Sequence, residues 1–472
     1  MENPEQFREY AHRVVDRMAD YFRDIEKFPV KSQVSPGEIY RLFPELPPDE
    51  GEPMDDILQD FDRKVLPGMT HWQSPNFFAF FPANSSYPSV LAEMLTAALG
   101  AQCMIWETSP AAAELEEKMM RWLIQMTGLP SSWHGVIQDT ASTATLASLL
   151  TAREKKSEYT INEKGFSGNE NFRVYVSTET HSSIEKAVKI AGFGRRNLVK
   201  CRVREDLSMD PADLHRRIAE DLRQGFTPLA VVATLGTTST TAIDPLKEIA
   251  AVARKHDLWL HVDAALAGSA LILPEYRQMI EGIEDADTFV FNPHKWLFTN
   301  FDCSAYFVKD KEALLRTFEI LPEYLKTGTR GRVNDYRDWG IPLGRRFRAL
   351  KLWFVIRSFG VKGLQEMLRE HLRLAGWIRE EVEKDPAFEL MAPVPLNTVC
   401  FRYNPGLTDE KELDRINTLL LDRLNRSGRV YFTHTRVNGK YTIRFMIGQT
   451  HTREDHVKNA WNLIKEYSRE IT

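Results

Sequence analysis

The chain has 472 residues, 43% hydrophobic and 27% charged, the balance of an ordinary globular protein, and its length suggests about three folding units. A formal net charge of -5 gives no reason to expect a nucleic-acid or acidic-membrane partner. The four cysteines, Cys103, Cys201, Cys303 and Cys400, lie far apart without a CxxC pair, which excludes a disulfide framework and a cysteine zinc site. The charged start MENPEQFREY lacks an apolar h-region, and no uncharged stretch approaches the ~18 apolar residues of a membrane span. A cytoplasmic location is the expectation.

In chain order, the first segment is a predicted helix. Asn3 caps it, Pro4 suits its first position, and Gln6 stands where a capping-box partner would. Phe7, Tyr10, Val14, Met18, Tyr21 and Ile25 then recur at helical spacing. Because Val30 to Pro53 is rich in proline and acid, this stripe is expected to find its cover on a second subunit. From about residue 85 to 310, strand candidates at Val174–Ser177, Leu198–Val203, Leu229–Thr234, Leu258–Val262, Thr288–Phe291 and Ser304–Val308 alternate with amphipathic stretches. Asp210-Pro211 and Asp244-Pro245 are predicted helix starts, each an N-cap followed by proline. Such alternation predicts an α/β class with a mostly parallel sheet covered by helices, binding its ligand at the carboxyl ends of the strands.

Leu321 to Gly340 carries glycines and arginines with little periodicity and is too long for a connector, so a lid is expected there. A long helix is predicted after Arg348, followed by Thr398–Arg402, Ile416–Leu424, Tyr441–Met446 and His456–Tyr467 as alternating strand and helix. The domains expected are an N-terminal helical dimerisation segment (1–85), a large α/β domain (86–348) and a small α+β domain (349–472).

The chemistry centres on Asp263, in HVDAA, and Lys295, in NPHKW, each just after an apolar run. A lysine amine and a carboxylate are what pyridoxal 5′-phosphate requires. The amine forms a Schiff base with the aldehyde, and the acid keeps the pyridine nitrogen protonated. Without context the two would equally make a surface ion pair. Three further features sit at strand ends or helix starts. Asp139-Thr140-Ala141-Ser142-Thr143 opens a helical stretch and offers hydroxyls and free N–H groups to a phosphate, or only an N-cap. His181, in THSS, would stack on the ring, or be structural; Thr238, in TLGTTST, would reach the cofactor. The convergence favours the cofactor reading. Gly192-Phe193-Gly194 lacks the third glycine and the preceding strand of a dinucleotide fingerprint. His261, Asp263 and His294 lack ligand spacing, so no metal is expected.

The stretches THWQSPNFFAFFP, SSYP, GVIQDTASTAT, THSS, VATLGTTST, WLHVDAALAGSA, FNPHKWLFTNFDCSA, LPEYLK and DWGIPLGRRFRALKLWF span nearly the whole chain. In that order they closely resemble the PLP-dependent group II decarboxylases, aromatic-L-amino-acid branch. The resemblance implies a fold-type I homodimer with shared active sites, and decarboxylation of tryptophan, phenylalanine, tyrosine or DOPA to the amine. It makes Lys295 the Schiff-base lysine, Asp263 the partner of the ring nitrogen and His181 the stacking residue. Thr140, Ala141, Ser142, Asn292 and His294 would serve the phosphate, and Thr238 another cofactor contact. Tyr324, in LPEYLK, would return a proton to Cα under the lid. Relatives that form aldehydes typically carry phenylalanine there. Trp72, Phe80, Phe81, Met104 and Gly344 match substrate-pocket positions, the glycine accompanying room for indole. Ala83 replaces a common threonine and Leu266 a common tyrosine, while Gln102 and Cys103 depart from an apolar-glycine pair. The alternatives are an aromatic aldehyde synthase, an acidic amino-acid decarboxylase on the same fold, and a silent PLP-binding dimer.

Overall fold

A computed structural model describes residues 3–320 and 332–471. The chain divides into two compact units, residues 81–376 with 392–400, and residues 1–80 with 377–391 and 401–472.

The first of these is built on a seven-stranded sheet: β1 His134–Gln138, β2 Phe172–Ser177, β3 Leu198–Cys201, β4 Thr227–Thr234, β5 Trp259–Asp263, β6 Thr288–Phe291 and β7 Ser304–Val308, in the order β1-β7-β6-β5-β4-β2-β3. The strands from β6 to β3 pair in parallel, and β7 runs antiparallel to both its neighbours. Parallel strands covered on both faces need continuous apolar runs rather than alternation. LAVVA in β4, FVF in β6 and AYFV in β7 supply them, and every one of these residues is buried. Each fully buried Val, Leu or Phe side chain contributes about 1.5–3 kcal/mol. The helix Ala141–Lys156 covers one face, where Leu149 packs with Val174, Val176, Ile184, Val188 and Val232.

β1 carries little sequence signal, because Gly135 and Gln138 interrupt its apolar run. The glycine answers to packing: a Cβ there would stand 2.5 Å from Met120 Cε. Asp210 caps the helix Pro211–Arg223 as expected, accepting from Ala212 N at 2.9 Å. Asp244 departs from its predicted capping role. The next helix starts at Leu246, and the Asp244 carboxylate turns inward to accept from Met209 N (2.7 Å) and Thr234 N (2.8 Å). Of the expected lid, residues 321–331, Tyr324 among them, lie outside the described residues. Tyr336–Trp339 is no part of a free loop: it forms a helical turn whose Tyr336 and Trp339 join the core with Val136, Val290 and Tyr306. The long helix Arg348–Lys384 is broken at Gly360 (φ 64°).

The other unit holds the N-terminal helix Pro4–Asp24, whose cap Asn3 accepts from Glu5 N and Gln6 N, and none of whose residues is buried. Its sheet joins β8 Phe388–Leu390, the Phe401–Tyr403 part of β9 (Thr398–Tyr403), β10 Thr433–Val437 and β11 Lys440–Met446 in the order β10-β11-β9-β8, with Phe401–Tyr403 pairing antiparallel to β8. Among the described residues no helix is long and apolar enough to cross a membrane.

The turn after β5 is held by close approach. A Cβ on Gly268 would lie 2.3 Å from Phe291 Cβ in β6. Gly268→Ala is therefore expected to lower the unfolding free energy by about 1–3 kcal/mol, or to abolish folding, in denaturant titration.

Candidate active site

The carboxyl ends of β4, β5 and β6 open onto a cavity of about 200 Å³ lined by Phe81, Thr140, Ala141, Ser142, His181, Ser183, Thr234, Gly236, Thr238, Asp263, Ala265, Asn292, His294, Lys295 and Phe301. All nine residues expected to meet a cofactor line this one cavity. Asp263 ends β5 and is 6% exposed; its Oδ1 accepts from Ala265 N at 3.1 Å. Lys295 follows β6 in the short helix Pro293–Trp296, whose position is set by Lys295 N donating to Asn292 O (2.9 Å). Asn84 holds the same turn from outside, through Asn84 N to His294 O (3.0 Å) and its amide to Lys295 O. The Lys295 ammonium stands 5.0 Å from the ring centre of Phe81. Burial lowers the pKa of Lys295 below the ordinary lysine range, and the charge of Asp263 opposes that shift.

Three histidines occupy three environments. His181 caps the helix Ser182–Ile190, its Nδ1 accepting from Ser183 N at 3.2 Å and lying 2.8 Å from Ser183 Oγ. That bond places the ring proton on Nε2. Desolvation lowers its pKa, with Asp263 opposing and Lys295 reinforcing. Although the neighbouring groups desolvate it, His181 remains exposed within the chain, so its flat ring is open to a ligand. His294 is buried, and burial followed by the charge of Lys295 pushes its pKa down to about 3. Its Nδ1 accepts from Cys303 N (2.9 Å), which leaves Nε2–H as a neutral donor. His261 is sealed between Thr145 Oγ1 (3.0 Å) and Thr288 Oγ1 (2.9 Å), and burial alone pushes it down to about 3. It is a core residue. Among the described residues no group of three His, Cys, Asp or Glu side chains is arranged to hold a metal.

The donors suit a phosphate. Thr140 caps the helix Ala141–Lys156, so the first-turn N–H groups of Ala141 and Ser142 have no partner within the helix. Asn292 receives Ser304 Oγ on its Oδ1 at 2.6 Å, which directs its NH₂ elsewhere. One buried polar atom also awaits a partner: Thr234 Oγ1, at the end of β4, has none among the described residues. A lysine of lowered pKa, an opposed carboxylate, a neutral imidazole and a cluster of phosphate donors in one cavity fit pyridoxal phosphate.

The expected substrate residues divide. Phe81 lines the cavity. Ala83 lies between Phe81 and Asn84 but is outside its lining. Met104 and Gly344 are also outside it, and Gly344 borders a separate space of about 40 Å³ with Gln138, Tyr336 and Arg345. A Cβ at 344 would stand 3.2 Å from Gln102 Nε2, while Gln102 Oε1 accepts from Arg345 N at 2.7 Å. In the other unit, Trp72 stacks on Phe77 (4.5 Å) and Phe80 (5.7 Å), and Tyr431 meets Phe80 edge-on. Thr234, Gly236, Ser183, Ala265 and Phe301 were not singled out in the sequence. Thr234 had a signal nonetheless, as the last residue of a predicted strand.

Such a site defines a pyridoxal-phosphate enzyme of the α/β class with a lysine anchor. Residues 36–404 match the pyridoxal-dependent decarboxylase conserved domain, and the chain belongs to that family; its cofactor is pyridoxal phosphate. It is 44% identical to tyrosine decarboxylase 2 of Narcissus pseudonarcissus, over 98% of this chain and 94% of that one. It is 45% identical to phenylacetaldehyde synthase of Arabidopsis thaliana, over 98% and 96%. The crystal structure of Catharanthus roseus tryptophan decarboxylase in complex with L-tryptophan superposes with a TM-score of 0.94 at 40% identity, covering 100% of this chain and 99% of that one.

Only the unprotonated amine of Lys295 would capture the cofactor, so capture should accelerate as pH rises through the pKa of Lys295. With that pKa lowered, the rise is expected at lower pH than for a free lysine. Asp263→Asn, which removes the charge opposing the shift, should move it lower still. Stopped-flow absorbance of apoprotein mixed with cofactor across pH checks both, and Lys295→Ala should show no borohydride-fixed cofactor at any pH.

Proposed function

We propose that the chain decarboxylates an aromatic L-amino acid to the corresponding amine and CO2. The observation that carries this reading is the meeting of Lys295, Asp263 and His181 in a cavity walled on one side by Phe81. Pyridoxal phosphate, when bound, supplies a protonated ring that accepts the electron pair left at Cα by departing CO2. Lys295 would anchor the cofactor through its amine, Asp263 would face the ring nitrogen and His181 a ring face. Ala141, Ser142, Asn292 and His294, with Thr140 as helix cap, would hold the phosphate, and Thr238 would make a further cofactor contact. Tyr324 is assigned the return of the proton to Cα, and Phe81 helps exclude water.

Phe81, in the cavity wall, is assigned to the substrate ring, and Trp72, Phe80, Ala83, Met104 and Gly344 are kept as substrate positions on the family resemblance. Two apolar faces support a homodimer. No residue of the helix Pro4–Asp24 is fully buried, and the helix Tyr87–Leu99 exposes Leu91, Leu95 and Leu99, each at least half accessible. Contiguous apolar surface of that kind marks an association site. Residues 1–85 are accordingly read as the dimerisation segment, 86–348 as the cofactor domain and 349–472 as the small domain. The protein is read as cytoplasmic and without nucleic-acid or membrane partners; its net charge of -5 favours the first of these two absences. The kinship with phenylacetaldehyde synthase keeps one second reading, oxidative conversion to an aldehyde, and Tyr324 weighs against it.

Holoprotein incubated with tryptophan, phenylalanine, tyrosine, DOPA and glutamate should release amine from the aromatic acids, with kcat/KM for glutamate at least about 100-fold lower. Glutamate preference refutes the pocket assignment. Tyr324→Phe is expected to divert product toward aldehyde and peroxide; full amine yield from that variant removes Tyr324 from the chemistry. Leu91→Asp with Leu95→Asp should turn a dimer into a monomer in sedimentation.

A further inference from the structure

We infer that the hydroxyl of Thr234 is a positioning group for the cofactor-facing carboxylate, donating to Asp263 and aiming it. The inference rests on the proposed role of Asp263 at the ring nitrogen. Thr234 ends β4, Asp263 ends β5, and the two are direct partners in the parallel register. Register partners on adjacent strands, about 4.8 Å apart, present their side chains on the same face. Both line the cavity. Thr234 is 4% exposed, and its Oγ1 is enclosed without a hydrogen-bond partner among the described residues. Buried hydroxyls are seldom left unpaired, since the lost water is not replaced. The carboxylate across the ladder has Oδ1 engaged by Ala265 N. Its Oδ2 is the acceptor a Thr234 hydroxyl would meet.

The backbone leaves Thr234 no other freedom. Its N–H donates to Asp244 Oδ2 (2.8 Å) and its carbonyl accepts from Asp244 N (3.0 Å). The following amide, Leu235 N, donates to the carbonyl of Asp263 itself at 2.9 Å. Asp244 is in turn fixed by Met209 N. Only χ1 remains, and in a β-branched residue that rotation exchanges the methyl for the hydroxyl at one site. This explains why Asp244 faces inward rather than capping a helix: it clamps the strand end that presents the hydroxyl. The charged and titratable groups acting on Asp263 are His181 and Lys295, with Asp244 behind Thr234. Neither His181 nor Lys295 does the work of a neutral donor from within the sheet. A hydroxyl bonded to a carboxylate favours its charged form and lowers its pKa.

The test compares the parent holoenzyme with Thr234→Val, Thr234→Ala and Thr234→Ser. Two quantities are read: the pyridoxal phosphate dissociation constant of each apoprotein, and the acid-side midpoint of the bound-cofactor absorbance. Valine and alanine are expected to weaken cofactor binding about tenfold and to raise the midpoint by about one pH unit, because the carboxylate then takes up a proton more easily. Serine, which keeps the hydroxyl, should stay within about twofold of the parent. Parent-like constants in both hydroxyl-free variants overturn the assignment, and so does a serine variant as impaired as valine. Weaker binding with an unmoved midpoint also overturns it, because the hydroxyl then serves the cofactor directly. If valine unfolds the chain, alanine against serine decides by the same two readouts. Failure of the pyridoxal reading itself is distinct: the parent would take up no cofactor.

Discussion

A lysine amine and an aspartate carboxylate must be withdrawn from water together, since either alone would carry the full cost of an uncompensated buried charge. The parallel ladder of β4, β5 and β6 makes that possible. It ends Asp263 beside Thr234 and starts the Lys295 turn one strand away, while the apolar interior of the same strands supplies the foundation. The backbone shares the load: Ala265 N steadies the carboxylate, Asn292 N bonds to Ala265 O, and Asn292 O receives Lys295 N. A chain of hydrogen bonds thus runs from the Asp263 carboxylate to the backbone amide of Lys295.

Surroundings, rather than residue type, decide what each polar side chain does. His261 lies on the same strand as Asp263, yet two threonine hydroxyls satisfy both of its ring nitrogens and remove it from chemistry. His294 has one nitrogen engaged and the other left to donate; His181 spends Nδ1 on its own helix start and offers its face. The same contrast separates two aspartates that each precede a proline. Asp210 caps a helix at the surface, whereas Asp244 is entirely enclosed and binds backbone amides of the sheet.

Much of this was legible beforehand because the signals are local. The runs LAVVAT, LWLHV and TFVF announce buried strands, and their ends locate Thr238, Asp263 and Lys295 to within a few residues. The remainder was hidden for identifiable reasons. β1 depends on a glycine that yields to Met120, and β10 alternates half-exposed polar residues, so neither shows an apolar run. Tyr336–Trp339 sits in a sequence with the look of a loop, but its aromatics find a core contributed by distant strands.

Sequence alone determined the succession of strands and helices, the chemical types gathered at their junctions and, through motif order, the family. Those properties follow from short-range preferences and from residues a few positions apart. Only the tertiary structure decided which junctions share one cavity, which histidine is sealed and which is open, and that Thr234 faces Asp263 across a ladder. Such facts depend on register between strands remote in the chain, which is set by packing across the whole sheet and is written in no single segment.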